Sequence, residues 1–252
     1  MQNIYKNHPL PLRIIQKFIF SKSKKILSLG KEQEKVLRRH GYKGSILSFP
    51  LWYNQSIFTP QSKEDSVLEL NLPKSLQDKN ILTYCGALRE HKGIRELLDA
   101  FQKMEDVKEN LLLLIAGQGS LEREVKERMI ILNAMGFEAY FLGGLRQEKL
   151  KYFFSLSDIL VIPSQTATNW KEQFGRVIIE AWACGSAVIG SRSGAIPEII
   201  VDEEYLFKEK NSGEIKKVCD QIFKKINTNK VSKKFFIKKS EKYSDQSLAK
   251  SF

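Results

Sequence analysis

The chain has 252 residues, 42% hydrophobic and 28% charged, with a net charge of +12; this suits one or two folded domains and excludes a wholly disordered chain. No run approaches the roughly 18 apolar residues of a membrane helix, and MQNIYKNHPLPLR has no apolar stretch with a cleavage site, so it does not read as a secretory leader. The positive charge sits at the ends, with 11 Lys/Arg against 2 acids in residues 1–60 and 13 against 5 in residues 205–252.

In chain order, LRIIQKFIFS predicts a helix, KKILSLG a strand, and EQEKVLRRHGY a second helix stopped at Gly41. One strand and two helices cannot satisfy a ladder or close a core. Residues 1–60 are therefore expected to be the remnant of an N-terminal domain together with its linker, FPLWYNQSIFTPQS, between Pro50 and Pro60. Trp52, Tyr53 and Phe58 are expected on an exposed, adhesive surface there. From Asn80 strand and helix alternate: ILTYCGAL, IRELLDAFQKM, LLLLIAG, LEREVKERMIILNAM, EAYFLG, EKLKYFFSLS, DILVIPS, GRVIIEAWACG and SAVIGS. Ile94, Leu97, Leu98 and Phe101 share one face of the first of these helices. LLLLIAG is apolar throughout, as a strand covered on both faces must be. The series predicts an α/β fold, a Rossmann-like parallel sheet with helices on both faces. Loops follow the strand ends at Gly86, Gly117, Gly143, Ser164 and Ser191, and ligands of such sheets bind at that edge.

Within KEQFGRVIIEAWACGSAVIG, Glu180 stands out: a carboxylate in a helix apolar nearly all round is costly unless something pairs with it. The helix opens at Gly175, and its first N–H groups, lacking intrahelical partners, suit a phosphate. Glu172 precedes it by eight residues from Glu180, about 12 Å if all of that span were helical. That is roughly the reach of a nucleoside diphosphate sugar, with one carboxylate for sugar hydroxyls and the other for ribose. The alternatives stay open: Glu172 as a solvated loop acid, and Glu180 as the partner of a core Lys or Arg.

Glu172 and Glu180 in EQFGRVIIEAWACG, followed by AVIGSRSGAIPEII, resemble family 4 of the retaining glycosyltransferases. GALREHKGIRELLDAF, LLLLIAGQGSLEREV and FFSLSDILVIPS resemble that family's successive motifs, in order, and ILSLGKEQEKVLRRHGYKGSILSFPLWYNQSIFTP resembles the end of its first domain. The resemblance covers residues 10–225 and implies the C-terminal half of a GT-B architecture of two Rossmann-like domains. Residues 61–225 would be the nucleotide-sugar domain and residues 226–252 a basic C-terminal helix or tail, SDQSLAKSF resembling the family's last helix. By motif position the catalytic Glu172 would contact the transferred hexose and Glu180 the ribose. The backbone of Phe174, Gly175 and Arg176 would face the diphosphate, and Lys92 would balance its charge. No metal and no cofactor are implied, because basic groups and the helix end stabilise the departing diphosphate. The family's arginine after the glycine at position 86 is Ala87 here; Arg89 either serves the same phosphate or is a surface charge. Arg176 likewise reads as a phosphate ligand or as a partner of surface acids.

Other residues carry less. Cys85, Cys184 and Cys219 have no metal or disulfide spacing and read as small core residues, consistent with a cytoplasmic protein. His8, His40 and His91 share no metal spacing, and His91 is a candidate for the cleft mouth. Glu198 reads as a helix-start acid. The basic ends lack a nucleic-acid motif, so no nucleic acid is expected. Ile14, Ile15, Phe18 and Ile19 among Arg13, Lys17, Lys22, Lys24 and Lys25 form a basic amphipathic segment. It is expected to pack against a further domain, with peripheral contact to an anionic membrane as the alternative. The leading expectation is a donor-binding half that transfers a hexose with retention once a separately encoded acceptor domain is supplied. Its rival is an inactive fragment that binds a nucleotide sugar or a partner. A sugar epimerase is disfavoured, since no GxGxxG follows a strand.

Overall fold

The computed structural model describes residues 9–168 and 170–250, with the backbone alone at Gln77; His8 lies outside them. The chain begins with helix α1 (Leu10–Lys22), strand β1 (Lys25–Ser28), helix α2 (Lys31–Arg39) and strand β2 (Ser45–Ser48). The single strand expected here has a partner. β2 pairs parallel with β1 from Lys25↔Ser45 to Ser28↔Ser48. SILS escapes a pattern reading because only Ile46 and Leu47 lie between its serines. Buried Tyr42 fastens this unit, its hydroxyl donating to the carbonyls of Ser23 and Ser45 at 3.2 and 3.1 Å. Two strands still do not bury an apolar layer: α1 contributes no buried residue, and Leu10, Ile14, Ile15, Phe18, Leu27 and Leu47 are exposed.

The linker departs from expectation. Trp52 is 46% exposed, but Tyr53 and Phe58 are buried. Tyr53 is held from both sides, its N–H donating to Tyr243 O and its carbonyl accepting from Asp245 N, each at 3.1 Å. Phe58 packs beside Phe154, ring centroids 6.3 Å apart. The end of the chain closes over the linker, and the two aromatics enter the core instead of forming an adhesive surface.

The main body runs α3 (Lys63–Glu69), β3 (Asn80–Cys85), α4 (Ile94–Gln102), β4 (Leu111–Ala116), α5 (Glu122–Ala134), β5 (Glu138–Gly143), α6 (Gln147–Leu156) and β6 (Ile159–Ile162). It continues with α7 (Arg176–Ala183), β7 (Ala187–Ser191), α8 (Ile196–Ile200), β8 (Leu206–Phe207), α9 (Ser212–Asn227), α10 (Lys233–Ser240) and α11 (Asp245–Ala249). All strands of the six-stranded sheet are parallel, in the order β5-β4-β3-β6-β7-β8. β4 is buried at every position, as its unbroken apolar run requires. Helices cover both faces: α4 packs with α5 and α9, while α6 packs with α3 and α7. The chain after residue 225 is tied to this body, because α10 packs on α7 and buries Phe236.

Candidate functional site

Strand order decides where a ligand can enter. β3 starts the sheet, the chain winds outward to β4 and β5, then returns to place β6 on the other side of β3. In sheets of this order the loops leaving the two strands flank the ligand crevice at their carboxyl ends, here those after β3 and β6. Lys92 lies after the first strand, and Ser164 and Glu172 lie after the second.

The two loops meet. Lys92 Nζ reaches Glu172 Oε2 at 2.6 Å, and Ser164 Oγ donates to the same oxygen at 3.2 Å. Both ionic side chains are largely covered, at 23% and 13% exposure. Glu172 is thus held by a cation and a hydroxyl, not simply solvated, and Lys92 is engaged by it. The Gln165 N–H donates to His91 O at 2.8 Å, fastening one loop to the other. Trp170 completes the wall, with Lys92 Nζ 4.6 Å from its ring centroid and the His91 ring 4.2 Å away. Burial, then Lys92 and Arg89, push the His91 pKa below its usual value, so its ring is neutral at pH 7. Trp170 was missed in the sequence, although a tryptophan two residues before a candidate acid in a polar loop is a usable signal.

Gly175 enters α7 in the left-handed conformation, φ 80° and ψ 60°, and no side chain caps the helix. The N–H groups of Arg176 and Val177 at the positive end of α7 therefore have no side-chain cap, four and five residues after Glu172. The helix begins at Arg176, so the all-helical rise of 12 Å between the two glutamates does not apply. Phe174 is buried, its ring edge-on to Tyr243 at 6.1 Å. Arg89 is exposed.

Glu180 is 5% exposed, and its partner is not a core cation but Arg176, one turn earlier, with Nε 3.2 Å from Oε1. Burial pushes the Glu180 pKa up to about 7, with Arg176 pulling the other way. A carboxylate so weakly paired gains from any hydroxyl that donates to it. Nearby Cys85 is a thiol at neutral pH, since burial and then Glu180 raise its pKa to about 12. Among the described residues no group of three or more His, Cys, Asp or Glu is placed to hold a metal ion.

Known proteins share this arrangement of elements. The sucrose-phosphate synthase of Thermosynechococcus elongatus superposes with a TM-score of 0.79 at 24% identity, covering 97% of this chain and 60% of that one. The Anabaena protein HepE, in complex with UDP and glucose, superposes at 0.75 and 16% identity, covering 95% and 65%. These likenesses place the fold in the GT-B class. In sequence, the lipopolysaccharide 1,2-N-acetylglucosaminetransferase of Salmonella typhimurium is 29% identical over 132 residues, 50% of this chain and 34% of that protein. The chain thus spans about a third of the length of the curated relatives it matches. The family model of the group 1 glycosyl transferases matches residues 71–238, a stretch that starts just after α3, ends within α10 and takes in the whole six-stranded sheet. The chain belongs to the group 1 glycosyl transferases.

Proposed function

We propose that the crevice between the β3 and β6 loops binds a nucleoside diphosphate sugar as the donor of a retaining, metal-independent hexosyl transfer, as in family 4. The observation that carries this reading is the placement of Glu172. It is held by Lys92 and Ser164 beside the uncapped start of α7, with Glu180 buried one turn into the same helix. The diphosphate would take the open N–H groups of α7 and draw Lys92 toward it, while Arg89 and Arg176 stand at the exposed rim. Ribose hydroxyls would donate to Glu180, and Glu172 would meet the sugar. A basic group and oriented N–H dipoles stabilise the charge that grows on a departing diphosphate, which is the catalytic use of such a site.

Transfer also needs an acceptor held against the anomeric carbon with water largely excluded, and positioning of that kind contributes about 7–11 kcal/mol. The exposed apolar face of α1, with Leu27 and Leu47, favours a further protein layer over this unit, and we assign it to the acceptor side. The same face supports a second reading, a module that binds a nucleotide sugar and a partner without turnover. Calorimetry of the folded chain with UDP, GDP and ADP tests the donor site. One nucleotide is expected to bind with or without chelator, and Lys92→Ala to weaken it about tenfold or more, as loss of a charged hydrogen bond does. Binding of none at millimolar concentration would remove the donor reading.

A further inference from the structure

Glu198 does more than begin a helix. Its carboxylate accepts from the backbone N–H of Lys31 at 2.7 Å and of Glu32 at 2.6 Å, more than 160 residues away in sequence. These are the first two residues of α2, whose own N-cap, Gly30, has no side chain to offer them. Gly30 is also what lets the carboxylate in, because a Cβ there would lie 2.7 Å from Glu198 Oε2. A charged acceptor on two open N–H groups at the positive end of a helix is among the stronger local contacts. Beside it, Lys171 Nζ pairs with Glu32 at 2.9 Å. Two contacts thus hold the start of α2, Lys171 from the loop after β6 and Glu198 from the loop and helix α8 that follow β7.

Both loops lead to Glu172. Lys171 precedes it directly. From the other loop, Glu198 N–H donates to Ala195 O at 3.0 Å and Ala195 N–H to Glu172 O at 2.9 Å. Gly194, at φ 54°, lies so close to that peptide that a Cβ would come within 2.1 Å of Glu172 O. A continuous run of hydrogen bonds thus joins the start of α2 to the backbone of Glu172. We propose that Glu198 is a positioning residue: by clamping the start of α2 it sets the Glu172 backbone, so the seating of the N-terminal unit is transmitted to the sugar-facing carboxylate. The clamp stands by itself; its consequence for the sugar rests on the donor-site reading above.

Amide hydrogen exchange on the full chain tests it without any ligand. In Glu198→Ala the Lys31 and Glu32 amides should exchange roughly tenfold faster or more. The Ala195 amide and the 171–175 segment should follow, while β4 amides keep their wild-type rates as proof of folding. Glu198→Gln, which keeps one acceptor oxygen, should fall between, and Lys171→Ala should loosen the 171–175 segment through the second contact. Unchanged exchange at Lys31 and Glu32 would refute the clamp. Faster exchange there with Ala195 and residues 171–175 unmoved would reduce it to a helix cap and overturn the positioning role. With UDP and UDP-glucose as probes, Glu198→Ala should weaken the sugar nucleotide at least threefold more than UDP; equal weakening would also overturn that role. Wild-type chain that binds neither probe would refute the donor reading alone, leaving the exchange results to decide the clamp.

Discussion

Glu180 carries the most direct consequence at the scale of one residue. Folded, it keeps its proton up to about pH 7, whereas an unfolded glutamate releases it near 4.5. The folded chain binds more protons between those values, so the stability present below pH 4.5 is lost as pH rises through 7. Glu180→Gln removes that loss. The unfolding free energy of the variant relative to wild type should gain about 3 kcal/mol between pH 4 and pH 8, read by denaturant melts at each pH. A flat difference would mean that Glu180 is ionised in the folded protein well below neutrality. The same proton is a reporter of ligand. Ribose hydroxyls that donate to the carboxylate favour its charged form, so nucleotide binding at pH 6.5–7 should release protons from wild type and fewer from Glu180→Gln. Calorimetry in buffers of different ionisation enthalpy would measure the difference, and equal release from both would separate Glu180 from the nucleotide.

Among elements, the alternating strands and helices from β3 to β7 were legible from their apolar periods, whereas β8, of two residues, and α9 were not read. β4 is unbroken Leu and Ile, and α4 repeats its apolar residues every three or four positions. Glu180 stood out by its apolar helix, and Glu172 and Lys92 through a motif; the contact between Lys92 and Glu172 was not legible, since it depends on β6 returning beside β3, a fact of strand order that no local pattern contains. β2 was missed because four residues with two apolar side chains carry no period. Tyr53 and Phe58 were misplaced because what covers them is distant in sequence, Tyr243 and Asp245 for Tyr53 and Phe154 for Phe58. Residues 226–252 read as a basic helix or tail because Lys233, Lys234, Lys238 and Lys239 dominate the pattern, and within helix α10 Phe236 is 2% exposed and lies edge-on to Tyr205 at 6.0 Å. Phe236→Ala should therefore cost about 3–5 kcal/mol of stability, measured by equilibrium unfolding. A cost below ~1 kcal/mol would show α10 to be an appendage rather than a part of the layer that supports α7.

At the scale of the whole molecule, the crevice proposed for the donor lies beside a small N-terminal unit tied to it through Glu198 and Lys171. Binding donor equally well before and during reaction does not speed chemistry, so the chain alone is expected to transfer no sugar at rates usual for enzymes. Product analysis with UDP-glucose and simple acceptors would check this, and rapid transfer would show that residues 9–60 already supply an acceptor side. The central claim is where the nucleotide sits, and chemical-shift mapping of backbone amides during a UDP titration addresses it most directly. The account predicts saturable shifts concentrated at Lys92 and from Phe174 to Val177, weakened together in Lys92→Ala. Shifts gathered elsewhere, or no saturable shifts from UDP, GDP or ADP in the folded chain, would contradict it.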